Sequence, residues 1–350
     1  MEKKVKVLLI RFSSFGDITQ ALSIPTRLKE LAPSTEVHWV TRLEFSDLVE
    51  THPFVDKLWT LDKKHGLIGL LKIISQLQNE NFDYIYDAHN NLRSRIITWM
   101  LCPPWNLSRW FSPPQLTRKS QKRWKRFLLF KFHKNLFQQP FSGQRDLLEP
   151  LQKWNLSIDL PSAPQLLLKK SAEVKILAII KSKQLQNFVT VAASSAHILK
   201  RWPEENFRKL LQLNPKVTFV FLGGKEDNFI QSIIQDLPNA YNFAGQLSFQ
   251  ESASFIFYSQ GLVCNDTGLL HIAEQLGKKA IALMGPAPFG FPSRHTTLIL
   301  EKKLSCRPCS KHGQGPCVNL NYQECLRAFT PEQVSLHMQR WIFEGPHDLV

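Results

Sequence analysis

The apolar positions fall into two series of short runs separated by amphipathic stretches. Residues 5–10 are almost unbroken Val, Leu and Ile, the pattern of a strand buried on both faces, and 18–31 carries apolar residues at helical spacing as far as Pro33. Further strands are predicted at 36–41, 57–61 and 84–87, with helices at 45–50 and 67–78 between them. The pattern breaks between Pro103 and Pro140 and resumes as a helix at 145–154; residues 156–165, with Pro161 and Pro164, read as a linker. The second series predicts strands at 187–192, 217–222, 240–243, 262–264 and 280–284. Its helices are expected at 174–183, 203–213, 228–237, 249–258, 269–276 and 330–344. Alternation of this kind implies parallel sheets with ligand groups gathered at the carboxyl ends of the strands. The expected fold is therefore α/β, two Rossmann-like domains facing a cleft. The first spans 1–160 and carries an insertion at about 103–140; the second spans 161–330; a helix and tail at 331–350 are expected to cross back to the first.

Composition narrows the class. A chain of 350 residues with 43% hydrophobic content can fill two ordinary cores. The apolar run near the N-terminus is too short for a signal peptide or a membrane span. No later segment reaches the ~18 uninterrupted apolar residues that a span needs, so a cytoplasmic protein is expected. Six cysteines do not make a secreted disulfide scaffold.

The net charge of +15 is concentrated. Between Asp87 and Asp146 there is no carboxylate, while Arg93, Arg95, Arg109, Arg118, Lys119, Lys122, Arg123, Lys125, Arg126, Lys131, Lys134 and Arg145 fall there, interleaved with Trp99, Trp105, Trp110, Phe111, Trp124, Phe127, Phe130 and Phe132. Such a segment suits a surface that meets phosphates together with acyl chains or headgroups. A nucleic-acid-binding patch has a similar composition, and a solvated face is the blander reading.

The richest stretch is Gly261 to Gly277, GLVCNDTGLLHIAEQLG, a strand, a polar turn and a helix. The unpaired N–H groups and positive dipole end of such a helix attract an anion, and Gly268 permits close approach; alternatively Asp266 or Thr267 is only an N-cap. Polar turns also follow other strands: Arg11 to Asp17, Asp87 to Asn91, Ser194 to Pro203, and Gly223 to Asp227.

In order, VLLIRFSSFGD, DAHNNLRS, KRWPEENF, LGGKED, NDTGLLHIAEQLG and ALMGP resemble glycosyltransferase family 9, the ADP-heptose:lipopolysaccharide heptosyltransferases, from about residue 5 to about 340. The resemblance implies a fold of the glycosyltransferase B type and metal-independent, inverting transfer from a donor held by the C-terminal domain to an acceptor held by the N-terminal one. The acceptor implied is the lipid A-linked core oligosaccharide, met at the inner face of the cytoplasmic membrane, whose anionic surface becomes an expected partner.

Inverting transfer requires a base on the acceptor hydroxyl and stabilisation of the departing pyrophosphate. Asp17, beside Gly16 in a strand-to-helix turn, matches the family's SxxGD aspartate and is the candidate base; it also reads as the cap of helix 18–31, with Gln20 completing a capping box. Lys200 matches the lysine before the family's Trp-Pro pair and is the candidate phosphate cation, with Arg201 the neighbouring alternative. For the donor, Ser194 and Ser195 supply hydroxyls, Glu226 the ribose contact, Leu247 an adenine wall, and Asp266, Thr267, Gly268 and Leu269 the sugar and pyrophosphate contacts. Glu226 also suits its own helix dipole, and His271, one helical turn along, is either a further donor contact or a core histidine. Asp87, Asn91 and Arg93 match the acceptor-side motif, with Ser13 and Ser14 near the sugar. His89 and Asn90 depart from the family pattern, which more usually has small residues or Gln there.

Cys306-x-x-Cys309 with Cys317 and Cys325 makes a set of four thiols suited to a structural zinc or iron site, or to free thiols; catalysis needs no cofactor. Two classes of function remain open: a heptosyltransferase, or the same chemistry on a protein or another glycan, against a nucleic-acid-binding protein built on the basic segment and the cysteine clip.

Overall fold

The computed structural model describes residues 4–102 and 113–344, so Trp105, Arg109, Trp110 and Phe111 of the basic segment and the tail 345–350 lie outside the described residues. The chain forms two compact units. In the first, β1 (Lys6–Ile10), β2 (Glu36–Arg42), β3 (Lys57–Leu61), β4 (Tyr84–Asp87) and β5 (Gln115–Arg118) make a parallel sheet in the order β3-β2-β1-β4-β5. Val7 to Ile10 have no exposed surface, as their unbroken apolar pattern demands, and each such side chain contributes ~1.5–3 kcal/mol by leaving water. The order reverses between β1 and β4, where Ile10 lies opposite Asp87. In parallel sheets a reversal of this kind is where ligands bind, and the turns 11–17 and 87–91 follow the carboxyl ends of these two strands.

The second unit repeats the device. β6 (Val189–Ala192), β7 (Phe219–Phe221), β8 (Ala240–Asn242), β9 (Leu262–Asn265), β10 (Ala280–Met284) and β11 (Thr297–Glu301) are parallel in the order β11-β10-β9-β6-β7-β8. The reversal falls between β6 and β9, with Ala192 opposite Cys264. The turns at 194–203 and 265–268 leave the sheet there, and both were singled out by their polar composition.

Several boundaries differ from the sequence reading. Helix 18–31 begins earlier and breaks, giving Phe15–Ala21, Ile24–Leu28 and a 3-10 turn at Lys29–Leu31; Pro25 cannot donate the hydrogen bond that continuity requires. β5 lies within the stretch expected to be irregular, and β11 was not expected. Residues 123–143 pack with the second unit rather than the first. Their apolar face explains it: Phe130, Phe137 and Phe141 set edges and faces against Phe289 at 5.0–6.2 Å between centroids, and the Arg126 guanidinium lies 4.5 Å over the same ring. The last helix, Pro331–His337, was expected to cross back to the first domain; Val334, and Met338 and Ile342 just beyond it, enter the second unit's core.

Candidate active site

At the first switch point the geometry is built around Arg11, the residue that follows buried β1. Its Nη1 donates to the Ala88 carbonyl (2.6 Å) and its Nη2 pairs with Asp17 Oδ2 (2.7 Å), tying the two turns together. Asp17 sits at the third helical position of Phe15–Ala21, not at its cap; Ser14 is the N-cap, and it is Asp17 rather than Gln20 that completes the capping box. Ser14 donates to Asp17 Oδ2 from both its N–H (3.0 Å) and its hydroxyl (2.8 Å). All these contacts fall on Oδ2, the side chain keeps 47% of its surface exposed, and Oδ1 takes no part in them. Crowding pushes the Asp17 carboxyl up, but the Arg11 guanidinium and the Ser14 hydrogen bonds outweigh it and hold the group below the usual carboxylate range. It is an anion at neutral pH.

Asp87, expected on the acceptor side, is buried and fully engaged. Its Oδ1 accepts from the N–H groups of His89 (3.2 Å) and Asn90 (2.7 Å), and its Oδ2 from Ser94 Oγ (3.0 Å) and Arg118 Nε (3.3 Å). Asn91 caps the helix Leu92–Leu101 by accepting from Ser94 N–H (2.9 Å), and Arg93 is exposed on that helix. The His89 ring meets Phe12 edge-on at 5.2 Å. Burial, aided by Arg11, brings its pKa down to about 4, so it is neutral beside Asp17.

The second switch point brings together residues 66 positions apart. Lys200 Nζ meets Asp266 Oδ2 at 2.7 Å, and Ser195 Oγ donates to the Asp266 carbonyl at 3.0 Å. Asn265, which the sequence reading passed over, fixes this arrangement from below: buried at the end of β9, it accepts from Trp202 N–H (2.9 Å) and donates to the Ala193 carbonyl (2.6 Å). Its only sequence signal was its place at the head of the NDTG turn. Ser194 is buried alongside. Thr267 is the N-cap of Gly268–Leu276 but makes no side-chain capping bond, so the positive end of that nine-residue helix is not closed by its own cap. Leu269 lines its buried side.

Arg201, the alternative cation, is engaged elsewhere: Nε donates to the Ser195 carbonyl (2.9 Å) and the guanidinium lies 4.6 Å over Phe229. In the 223–227 turn, Asp227 turns inward to accept from Gly224 N–H (2.7 Å), which leaves Glu226 exposed. Leu247 is half-buried near the end of β8. His271 is packed, with Nδ1 2.8 Å from buried Glu274, whose other oxygen accepts from the Ser293 and Arg294 N–H groups (2.8 Å for the latter). That is the environment of a core histidine.

Cys306, Cys309, Cys317 and Cys325 line one cavity of about 10 Å³ with Leu199, Arg307 and Gln323, yet among the described residues no group of three potential ligands stands at metal-binding spacing. All four are free thiols, and burial, with the neighbouring thiols adding to it, raises Cys325 to about 11.

The basic segment is less uniform than its composition. Arg118 pairs with Asp87, Lys119 with Asp146, and Lys122 with both Asp146 and Glu149. The helix Arg123–Phe132 exposes Trp124 (67%), Phe127 (51%) and Phe132 (60%) beside the exposed Arg123, Lys125 and Lys131.

This architecture is shared with solved structures over nearly its full length. It matches the glycosyl transferase family 9 protein of Veillonella parvula with a TM-score of 0.78 at 18% identity, covering 99% of both chains. It matches the E. coli heptosyltransferase WaaC, solved with ADP-2-deoxy-2-fluoro heptose, with a TM-score of 0.67 at 16% identity over 96% and 99%. The fold is thus the two-domain α/β fold of glycosyltransferases of the B type. The chain belongs to glycosyltransferase family 9 (heptosyltransferase), whose model matches residues 70–318. It is 24% identical over 302 residues to lipopolysaccharide heptosyltransferase 1 of Campylobacter coli (81% of this chain, 85% of that one) and 23% identical over 355 residues to lipooligosaccharide heptosyltransferase 2 of Haemophilus influenzae (94% and 96%).

Proposed function

We propose that this glycosyltransferase moves a heptose from ADP-heptose to a lipopolysaccharide core acceptor with inversion at the anomeric carbon. The observation that carries the reading is Asp17: an anion in the first turn of the helix that follows β1, held by Arg11 and Ser14 through one oxygen, with the other taking no part in those contacts. In the proposed step the acceptor oxygen attacks the anomeric carbon from the face opposite the diphosphate. As that C–O bond forms, the bond to the β-phosphate oxygen breaks, the acceptor proton passes to Asp17 Oδ1, and ADP leaves with the bonding pair. Lys200 and the uncapped N-terminus of Gly268–Leu276 stabilise the charge that builds on the leaving oxygen, and Asp266 holds the sugar hydroxyls. Ser195 and Asn265 fix those groups before the donor arrives. Glu226, exposed at the mouth of the second switch point, suits the ribose.

The similarity to lipopolysaccharide and lipooligosaccharide heptosyltransferases supports a lipopolysaccharide acceptor, and the described residues contain no helix long and apolar enough to cross a membrane. The exposed rings and cations of Arg123–Phe132 fit an anionic lipid surface where such an acceptor resides. The four thiols share one small cavity, but their spacing among the described residues does not suit a zinc or iron ion, and no chemical step passes through them. The reading is tested by incubating the protein with ADP-heptose and a series of truncated lipopolysaccharides, following ADP release and acceptor mass. A gain of one heptose on one acceptor of the series is expected; ADP-heptose left intact with every acceptor would overturn it.

A further inference from the structure

The Lys200–Asp266 pair lies between two glycines that come from loops well separated in sequence. Gly290, in the loop that follows β10, stands against the carboxylate: a Cβ added there would fall 1.9 Å from Asp266 Oδ1 and 2.1 Å from its carboxyl carbon. Gly313, inside the cysteine loop, stands against the lysine: a Cβ there would fall 2.6 Å from Lys200 Cγ and 3.0 Å from Cδ. Contacts under 3 Å are not tolerated by carbon, so a side chain at either position must displace one partner of the ion pair. Asp266 is buried, with Oδ2 on Lys200 and its carbonyl holding Ser195, so its short side chain has nowhere to retreat.

The two glycines differ in backbone. Gly313 has φ +82, where glycine is favoured in any case, whereas Gly290 has no such φ, and its backbone would accept alanine. What excludes a side chain at Gly290 is the carboxylate. The cysteine loop that carries Gly313 is itself fastened to the lysine's turn: Gln323 Nε2 donates to the Ile198 carbonyl (2.8 Å), and Leu199 lines the cavity of the four thiols.

We propose that Gly290 and Gly313 are positioning residues that leave Asp266 and Lys200 room to meet in the arrangement that receives the donor's sugar and diphosphate. The proposal rests on the reading of Lys200 and Asp266 as donor-binding groups. Neither glycine meets reacting atoms; each acts by leaving open the space that its neighbour's present rotamer occupies, so that the pair stands ready before the donor arrives.

Gly315 supplies the control. It lies in the same loop with φ +85, and a Cβ there would meet nothing within 4 Å, so Gly315→Ala carries the backbone penalty of Gly313→Ala without the contact. The experiment measures ADP affinity by calorimetry, kcat and donor KM separately, and Tm, for Gly290→Ala, Gly313→Ala, Gly315→Ala and Lys200→Ala. ADP binding is expected to weaken about tenfold in Gly290→Ala and Gly313→Ala, with a matching rise in donor KM, while Gly315→Ala loses as much Tm as Gly313→Ala but binds ADP as the parent does. Equal ADP affinities for Gly313→Ala and Gly315→Ala would overturn the proposal, and that pair decides it alone if Gly290→Ala does not fold. If Lys200→Ala binds ADP normally, the donor-site reading fails, and the proposal with it; if only the glycine variants bind normally, the proposal fails by itself.

Discussion

A carboxylate can serve as a base only if it is ionised and has a lone pair to offer, and at Asp17 both conditions come from neighbours. Arg11 and Ser14 occupy Oδ2 and lower its proton affinity, while Oδ1 takes no part in these contacts. Because the folded pKa lies below the ordinary carboxylate value, the turnover limb governed by Asp17 falls only as pH drops through that lowered value. Removing the guanidinium in Arg11→Gln is expected to move the limb toward higher pH, read from kcat between pH 3.5 and 8; an unmoved limb would assign it to another group. His89, neutral above about 4, adds no limb between pH 5 and 8. The place of Asp17 in a strand-to-helix turn was legible in the sequence because Ser, Gly and Asp fall together after an apolar run. The role of Asp87 was not, since the same pattern serves a carboxylate that reaches for substrate and one spent inside its turn on His89, Asn90, Ser94 and Arg118.

Elements carry the next set of consequences. Short segments with continuous apolar runs, such as β1, β9 and β10, were legible because burial on both faces leaves no room for polar alternation. β5 was not: of QLTR only Thr117 is buried, at a sheet edge where pattern carries little information. The allegiance of 123–143 was equally hidden, because its anchor, Phe289, is about 150 residues away in sequence. That helix gives a direct test. Trp124→Ala with Phe127→Ala should cut binding to vesicles containing anionic phospholipid about tenfold in a sedimentation assay, leaving ADP affinity unchanged; binding to oligonucleotides with no affinity for vesicles would assign the surface to nucleic acid. His52 provides a second. In the turn between the helix Ser46–Val49 and β3, its Nε2 donates to the Leu22 carbonyl (2.9 Å) while Nδ1 accepts from Phe54 N–H (3.2 Å), an arrangement only the neutral ring can hold. Burial brings its pKa from 6.5 down to about 4. The unfolded chain therefore takes up a proton that the folded one refuses, so stability falls as pH drops from 6.5 to about 4, by about 3 kcal/mol, and then levels. Urea melts at pH 7 and 4.5 should show this loss, and His52→Asn should flatten it; an equal loss in the variant would place the acid sensitivity elsewhere.

At the scale of the whole molecule, two sheets of the same construction each reverse strand order once, and each reversal collects the polar turns that the sequence had marked. The first unit presents an anion fixed through one oxygen; the second presents a lysine, an aspartate and an uncapped helix end. Under the proposed function the first activates the acceptor and the second holds the donor, and this division of labour is the central claim. It is tested most directly by Asp17→Ala, with ADP-heptose affinity and transfer rate measured on the same preparation. The account predicts donor affinity within about twofold of the parent and transfer reduced at least about 100-fold. Transfer at the parental rate would contradict it.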